Sequence, residues 1–295
     1  MTDDRRQQAI ALYDRFTHEG MERRAFMARM VALAGSAAAA EALIASIAAS
    51  PAAAAVVPEN DPRIRASTAL LLGTGGRSRY SAYMAEPATA ARRSTIIVVH
   101  ENRGLNAHTK DVARRLALAG YRAVAPDFLS PSGGTPADEE AARDAIGKLD
   151  LAAATAAGVA MIDELAARSD GNGKVGAVGF CWGGAYVNRL AVAAGDKLDA
   201  GVVFYGPAPD VSEAAKVQAP LMLHLAGLDE RVNATGWPWV KALRAANKTV
   251  SAYNYEGANH AFHNDTSAER YDAAAAALAW QRTLRFFGRH LRAGR

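Results

Sequence analysis

Cysteine is almost absent from this chain of 295 residues, which contains a single one, Cys181. One thiol cannot form a disulfide within the chain, so Cys181 is either a small buried apolar residue or a reactive group. A run of basic residues is also lacking: Lys and Arg total 34 against 30 Asp and Glu, and the arginines alternate with acidic residues. This distribution argues against a nucleic-acid-binding surface, and no nucleic-acid partner is expected.

A long apolar run without charge is missing as well. The most apolar segment, residues 26–55, is dominated by alanine, which is only marginally apolar, and Glu41 interrupts it. A stable membrane anchor is therefore not expected. Half of all residues are apolar, which is enough for one large core, and no repeat or linker divides the chain after residue 60. We expect residues 61–295 to form one domain.

The first sixty residues differ in composition from the rest. Paired arginines precede a phenylalanine, an alanine-rich stretch and small residues that suit cleavage near Ala53 to Ala55. This order resembles a twin-arginine export signal, whose removal would leave a chain that starts near Val56. An alternative is a retained helical hairpin packed on the body, because apolar residues ahead of the arginines have helical spacing. These apolar residues are Ile10, Leu12, Tyr13 and Phe16. We interpret residues 1–60 as a helical extension or a signal, with retention and a cytoplasmic location slightly favoured over the periplasm.

Residues 61–295 alternate apolar strands with amphipathic helices. Two strands on either side of a glycine-rich turn, Gly73 to Gly76, predict a hairpin, and no helix follows this turn, so it does not indicate a phosphate-binding loop. Further strands are predicted at STIIVVH, YRAVAPDFL, KVGAVGF, LDAGVVFYG, APLMLHLAGLD and TVSAYNYEGA. The helices between them include one with Val112, Leu116 and Ala119 on one face, and a long terminal helix over residues 267–291. The pattern predicts an α/β fold with a mostly parallel sheet that is covered on both faces.

The single cysteine lies between a predicted strand and a predicted helix, in Gly179-Phe180-Cys181-Trp182-Gly183. This fits the G-x-nucleophile-x-G elbow, a sharp turn that holds the nucleophile above the sheet. Glycine is needed on both sides because a Cβ there would collide with the neighbouring strand and helix. The amides and the dipole of the following helix would face the sulfur and stabilise a thiolate. The alternative is a buried structural cysteine at a tight turn.

An acid and a histidine follow the elbow in the order expected of a catalytic triad. Asp229 comes directly after one predicted strand and His260 after the last one. His260 would accept the thiol proton, and Asp229 would hold the tautomer of the imidazole and stabilise its positive form. His263 lies three residues further on, but a two-histidine spacing in a loop without a third ligand is poor for a metal, and no metal is expected.

The elbow together with AGLDERV, NHAF and VVHENRGLN resembles the dienelactone hydrolase family of the α/β-hydrolase fold, over about residues 64–290. The resemblance implies that Glu101 lies beside the nucleophile and helps to convert the thiol to a thiolate. It also implies an oxyanion hole made by the backbone N–H groups of Trp182 and Asn102. The alternative for Glu101 is a strand-end acid that pairs with Arg103.

One position departs from the family pattern. Family members specialised for dienelactone hold the carboxylate of the substrate with an arginine four residues after the catalytic histidine, where this chain has Asn264. An amide cannot supply the charged bidentate contact, so Arg103 or Arg231 is an alternative anion-binding residue. The tryptophans that could line an apolar acyl pocket, or pack in the core instead, are Trp182, Trp237 and Trp239.

The sequence thus predicts a cysteine-dependent hydrolase of small esters or lactones that forms an acyl-thioester on Cys181 and needs no cofactor. A hypothesis from another class is a non-hydrolytic protein whose thiol serves redox sensing or small-molecule binding. The acid and histidine in triad order favour hydrolysis, because sensing does not need a proton acceptor placed for acyl transfer. A third hypothesis is a scaffold that binds partners through its N-terminal helices.

Overall fold

A computed structural model describes residues 3–48, 55–73, 79–89 and 91–292. Within these residues the chain forms one eight-stranded sheet with helices on both of its faces. The strands are β1 (Ile64–Leu72), β2 (Arg79–Pro87), β3 (Arg93–Val99), β4 (Arg122–Pro126), β5 (Gly171–Phe180), β6 (Ala200–Phe204), β7 (Leu221–Ala226) and β8 (Val250–Tyr255). The α-helices are α1 (Asp3–His18), α2 (Arg23–Ala34), α3 (Ala37–Ile47), α4 (Ala107–Leu118), α5 (Glu139–Gly147), α6 (Leu151–Ala166), α7 (Trp182–Ala193), α8 (Glu230–Ala245) and α9 (Ala273–His290).

The strands are ordered β1-β2-β4-β3-β5-β6-β7-β8 across the sheet. The pairs β1/β2 and β2/β4 are antiparallel, and every later pair is parallel. β1 and β2 pair from Ile64 with Pro87 to Leu72 with Arg79, which confirms the predicted hairpin. Of its glycine-rich turn, residues 74–76 lie outside the described residues. The mostly parallel α/β sheet of the sequence-based prediction is confirmed.

The composition of the central strands explains why they lie inside the molecule. Every residue of β3, β4, β6 and β7 is buried, as expected for parallel strands that are covered on both faces. One core packs α6, α7 and α8 against the sheet, and a second core packs α4 and α9 against the opposite face. This arrangement fixes the carboxyl ends of β3, β5, β7 and β8 along one edge, where the loops carry polar residues.

Two details of the helices were predicted incorrectly. Ala119 is exposed, because α4 ends at Leu118 and Ala119 is its C-cap. The terminal helix begins at Ala273 instead of residue 267, since Asp272 caps it by accepting a hydrogen bond from the backbone N–H of Ala275. Residues ahead of Asp272 form turns that contact the N-terminal helices.

The N-terminal helical segment, residues 3–48, has a small core of its own. α1, α2 and α3 bury the four apolar side chains whose spacing predicted a helix, together with Phe26, Met30 and Ile47. The segment is therefore a group of three helices, one more than a hairpin. Residues 53 and 54 of the candidate cleavage site lie outside the described residues. Export and cleavage stay a prediction.

The turn before α9 holds the N-terminal helical segment against the body. The hydroxyl of Ser267 and Nε of Arg270 donate hydrogen bonds to the carbonyl of Ile47, at 2.6 and 3.1 Å. Nη1 of Arg270 lies 3.3 Å from Oδ1 of Asp14, and its guanidinium lies 5.2 Å from the ring centre of Tyr13. Because Arg270 is buried, removal of Asp14 would leave its charged guanidinium without this ion-pair partner, which is costly. The contacts therefore fix the position of α1 on the body.

Among the described residues, no single helix has the length and apolar composition needed to cross a membrane. Two pairs of consecutive helices, α2 with α3 and α5 with α6, reach this length and apolar composition only when the two helices are joined, and each pair is sharply bent at its junction.

We expect the free energy of unfolding to fall as the pH drops from about 6.5 towards 3. His224 of β7 is fully buried and bonds to the hydroxyls of Tyr255 and Thr283, and burial lowers its pKa to about 3. Below pH 6.5 the unfolded chain binds a proton at this residue and the native chain does not, so stability is lost in this window. Urea denaturation between pH 7 and pH 4 measures the slope. His224→Gln should reduce the slope by up to about 1.4 kcal/mol per pH unit, and an unchanged slope would assign the acid sensitivity to other groups.

Candidate active site

Cys181 lies at the turn between β5 and α7 with φ of 53° and ψ of −114°, a conformation that side chains rarely adopt. Its backbone N–H donates to the carbonyl of Phe204 at 3.0 Å, which holds the turn in place. A Cβ on Gly179 would lie 2.0 Å from the carbonyl oxygen of Gly183, and one on Gly183 would lie 2.4 Å from that of Val99. Both contacts are with backbone atoms, so only glycine fits at either position. The strained turn presents Sγ at the carboxyl end of the sheet.

Asp229 and His260 follow the two neighbouring strands β7 and β8 and meet beside Cys181. Nδ1 of His260 lies 2.5 Å from Oδ2 of Asp229, and both side chains are buried. Oδ1 of Asp229 accepts from the backbone N–H of Val232 at 3.1 Å, so the same carboxylate caps α8 and orients the imidazole. Nε2 of His260 has no hydrogen-bond partner among the described residues, and a ring nitrogen of His260 lies within 4.8 Å of Sγ. The geometry is that of a nucleophile, a base and an orienting acid.

Electrostatic interactions favour a protonated His260. Burial alone would lower the pKa of His260, but the negative charges of Asp229 and Cys181 outweigh burial and raise it to about 10. Burial would likewise raise the pKa of Asp229, yet the His260 imidazolium holds it below its usual value. A proton released by the thiol is therefore held on the imidazole, between two negative groups.

Glu101 lies two residues beyond the end of β3 and lines a small cavity together with Cys181 and His260. Its Oε2 accepts a hydrogen bond from Nδ2 of Asn264 at 2.9 Å. It does not pair with Arg103, whose Nη1 lies 3.1 Å from Glu139 and whose Nη2 lies 3.0 Å from the hydroxyl of Tyr13. The alternative of a Glu101–Arg103 ion pair is therefore wrong.

Asn264 does not occupy the position predicted for a substrate-binding residue. Its side chain is fully buried, and its amide both orients Glu101 and accepts from the backbone N–H and the hydroxyl of Thr266. Because these contacts use both ends of the amide, Asn264 cannot reach a substrate without unfolding the turn. Its observed role is to position Glu101.

The two residues predicted to supply an oxyanion hole, Trp182 and Asn102, line one cavity with Cys181. Trp182 is the first residue of α7, where N–H groups have no acceptor within the helix, and Asn102 lies in the loop after β3. Both residues line, with Cys181, a cavity of about 920 Å³. The helix N-terminus and this loop can therefore both face an oxygen bound near Sγ.

Of the three candidate tryptophans, only Trp182 lines this cavity. Its ring stacks between His100 and Tyr186, with ring centres 5.3 and 5.5 Å away. Trp239 is fully buried and donates to Oδ1 of Asn188 at 3.2 Å, so it is a core residue. Trp237 is 39% exposed on the surface of α8. The prediction that Trp239 lines an acyl pocket is therefore wrong, and a role of Trp237 in substrate binding stays a prediction.

His263 packs in the core. It is almost fully buried and packs against Phe180, Phe204 and Trp280, and burial lowers its pKa well below the usual value. Its role is therefore to pack the core beneath the site.

Sequence reasoning missed His18, the last residue of α1, which contacts the candidate nucleophile. Nε2 of His18 lies 3.1 Å from Sγ of Cys181, and the ring centres of His18 and His260 are 4.8 Å apart. Tyr13 and Thr17 of the same helix line the small cavity. No signal in the sequence links residue 18 to residue 181, because the contact depends on how α1 packs on the body.

Cys181 also lines the larger cavity. Residues of the α1–α2 connection and of α5 line this cavity together with Cys181 and Trp182. Arg231 of α8 also lines it, and Nη2 of Arg231 is buried without an acceptor among the described residues. A guanidinium with an unused donor near the nucleophile is suited to bind an anionic group.

The sheet order, the strained cysteine elbow and the acid and histidine at later strand ends define an α/β hydrolase. A sequence model of the dienelactone hydrolase family matches residues 80–291, and the chain belongs to this family.

Relatives and solved structures agree with this assignment. The chain is 34% identical over 216 residues to the carboxymethylenebutenolidase of Pseudomonas putida. The matched region covers 70% of this chain and 90% of that protein. It is 32% identical over 256 residues to an Escherichia coli protein provisionally named carboxymethylenebutenolidase, with 81% of this chain and 93% of the relative covered. A crystal structure from Klebsiella pneumoniae, provisionally described as a dienelactone hydrolase, superposes with a TM-score of 0.68 at 30% identity, over 76% of this chain and 98% of that one.

Proposed function

We propose that this chain hydrolyses small lactones or carboxylic esters through a thiolate of Cys181. The observation that carries the proposal is the convergence of Sγ, the His260–Asp229 pair and the N-terminus of α7 at one end of the sheet. The names of two relatives, carboxymethylenebutenolidase and dienelactone hydrolase, support a lactone as the substrate. Residues 61–295 are the catalytic domain in this proposal, and residues 1–60 are a helical extension of it.

The reaction begins with transfer of the thiol proton to His260, directly or by way of Glu101, since both residues line the small cavity with Sγ. The thiolate attacks the carbonyl carbon, and the resulting oxyanion accepts hydrogen bonds from the N–H groups of Trp182 and Asn102. As the oxyanion collapses, the C–O bond to the leaving alkoxide breaks and His260 supplies its proton. Water then adds to the thioester with His260 as base, and the acid and the free thiol are released.

The acyl-thioester is the intermediate that tests this proposal. Rapid quenching of the full chain with an excess of a p-nitrophenyl ester, followed by peptide mass spectrometry, should find the acyl mass on the Cys181 peptide. The adduct should disappear as turnover ends, and it should be absent after alkylation of Cys181. Steady ester turnover without any acyl mass on this peptide would reject covalent catalysis by the thiol.

Arg231 is the residue we propose to bind an anionic group of the substrate. Arg231→Gln is expected to raise KM for a carboxylate-bearing lactone about tenfold, equal to ~1.4 kcal/mol, because the amide removes the charge that pairs with the carboxylate. Steady-state kinetics with this lactone and with its neutral methyl ester measure the effect. The neutral substrate and the control Arg244→Gln, an exposed arginine of the same helix, should show no change. An equal KM increase for both substrates would show that Arg231 supports the shape of the cavity instead.

A further inference from the structure

Three potential metal ligands from distant parts of the chain meet at one point. His18 comes from the end of α1, Cys181 from the elbow and His260 from the loop after β8. One ligand atom of each side chain lies within 4.8 Å of the other two. The ligand atoms of a tetrahedral zinc ion, at about 2.0–2.3 Å from the metal, lie roughly 3.5 Å from one another. The spacing therefore fits a single ion with only small side-chain movements.

The hydrogen bonds of both histidines use Nδ1 and leave Nε2 as the nitrogen that can bind a metal, which for His260 requires release of the proton that its imidazolium holds. Nδ1 of His18 lies 2.8 Å from the carbonyl oxygen of Asp14, which can only accept, so Nδ1 carries the hydrogen and Nε2 does not. Nδ1 of His260 donates to Asp229, and its buried Nε2 has no partner among the described residues. In metal-binding histidines the ring nitrogen that does not bind the metal commonly donates its hydrogen to an oxygen acceptor, as Nδ1 does in both residues here.

A cation would separate two electron-pair donors that face each other when Cys181 is a thiolate. With Sγ deprotonated, the unprotonated Nε2 of His18 would face it at 3.1 Å, so two electron-pair donors would be in contact. A hydrogen on the thiol relieves this, and so does a metal ion between the donors. Thiolate and imidazole select zinc and similar transition metals over magnesium and calcium, which prefer oxygen ligands.

We propose that His18, Cys181 and His260 form a zinc-binding site that reversibly blocks the nucleophile. Binding forms one Zn–Sγ bond and two Zn–Nε2 bonds and releases the single proton that Cys181 and His260 share. The ion reaches the site through the 920 Å³ cavity, which both His18 and Cys181 line, and a water molecule from this cavity can serve as the fourth ligand. Only the blocking effect depends on the proposed hydrolase function, because the binding itself is a property of the three side chains.

Direct metal binding to the full chain tests the site without reference to turnover. Cobalt(II), a spectroscopic substitute for zinc, should bind one ion per chain with a thiolate-to-cobalt charge-transfer band, and zinc should displace it. His18→Gln should weaken zinc binding by at least about 100-fold, and Cys181→Ala should abolish the band. His290→Gln, which removes a histidine from the far end of α9, is the matched control and should bind as the parent does. Equal zinc affinity in His18→Gln and the parent would overturn the proposal.

Protection of the thiol gives a second test that needs no substitution. Stoichiometric zinc should slow alkylation of Cys181 by iodoacetamide in the parent chain, and magnesium should not. Equal alkylation rates with and without zinc would overturn the site even if His18→Gln failed to fold. An ester assay with the same zinc additions separates the two proposals: zinc binding in a chain that never turns over an ester would refute the hydrolase function and leave the metal site standing.

Discussion

Replacement of Cys181 by alanine is expected to lower kcat/KM for an activated aryl ester by about 10⁴-fold or more. The substitution removes the atom that forms the acyl bond, while the oxyanion donors and the cavity stay in place and account for any residual rate. Initial rates of p-nitrophenyl acetate hydrolysis, corrected for the rate in buffer, measure the loss. Turnover at the parental rate in the alanine variant would show that another group carries the reaction.

Two further variants at this position separate chemistry from folding. Cys181→Ser keeps the shape of the site but should retain little activity, because a hydroxyl is far harder to deprotonate than a thiol. Cys181→Gly should be inactive and about 1 kcal/mol more stable than Cys181→Ala, since glycine accepts the φ of 53° without strain. Urea denaturation of both variants measures the difference. A glycine variant that is less stable than the alanine variant would argue against strain at the elbow.

Asp229→Asn is expected to lower kcat/KM by a similar factor, about 10⁴-fold. The amide would donate to Nδ1 of His260, and the imidazole would then carry its hydrogen on Nε2 and could not accept the thiol proton. Loss of the carboxylate charge should also lower the pKa of His260 from about 10, because burial would no longer be opposed by Asp229. The apparent pKa of His260 in the pH dependence of kcat/KM should therefore shift to lower pH.

The helix cap makes this substitution informative about catalysis rather than folding. Asp229 accepts from the N–H of Val232 at the start of α8, and asparagine is an equally good N-cap, so the fold should survive. Asp210→Asn, the same chemical change at an exposed cap, is the matched control and should leave the rate unchanged. A rate near that of the parent in Asp229→Asn would remove Asp229 from the catalytic group.

The sequence predicted those parts of the site that depend on local structure. An apolar run that ends in glycine, cysteine and glycine is a strand that turns into a helix, and the steric contacts at Gly179 and Gly183 show why no other residue fits there. Asp229 and His260 could be located because they lie in the loops that follow two strands, whose ends meet along one edge of a parallel sheet. The parts that depend on tertiary packing were wrong or absent. Asn264 and Trp239 are buried by contacts that no local pattern encodes.

The contact between His18 and Cys181 was the largest omission, and its cause is physical. The first sixty residues carry both a helical periodicity and the features of an export signal, and composition alone does not decide between them. Only the docking contacts, such as those of Arg270 with Asp14 and Ile47, place the end of α1 over the nucleophile.

Because α1 lies over the nucleophile, removal of the N-terminal segment during export would also change the range of substrates that fit the site. Cleavage near residue 55 would remove Tyr13, Thr17 and His18, which line the cavities at Cys181, and would leave Sγ in a wider and more open cavity. In the uncleaved chain α1 covers this side of the site. We would therefore expect the cleaved chain to accept bulkier substrates than the uncleaved chain.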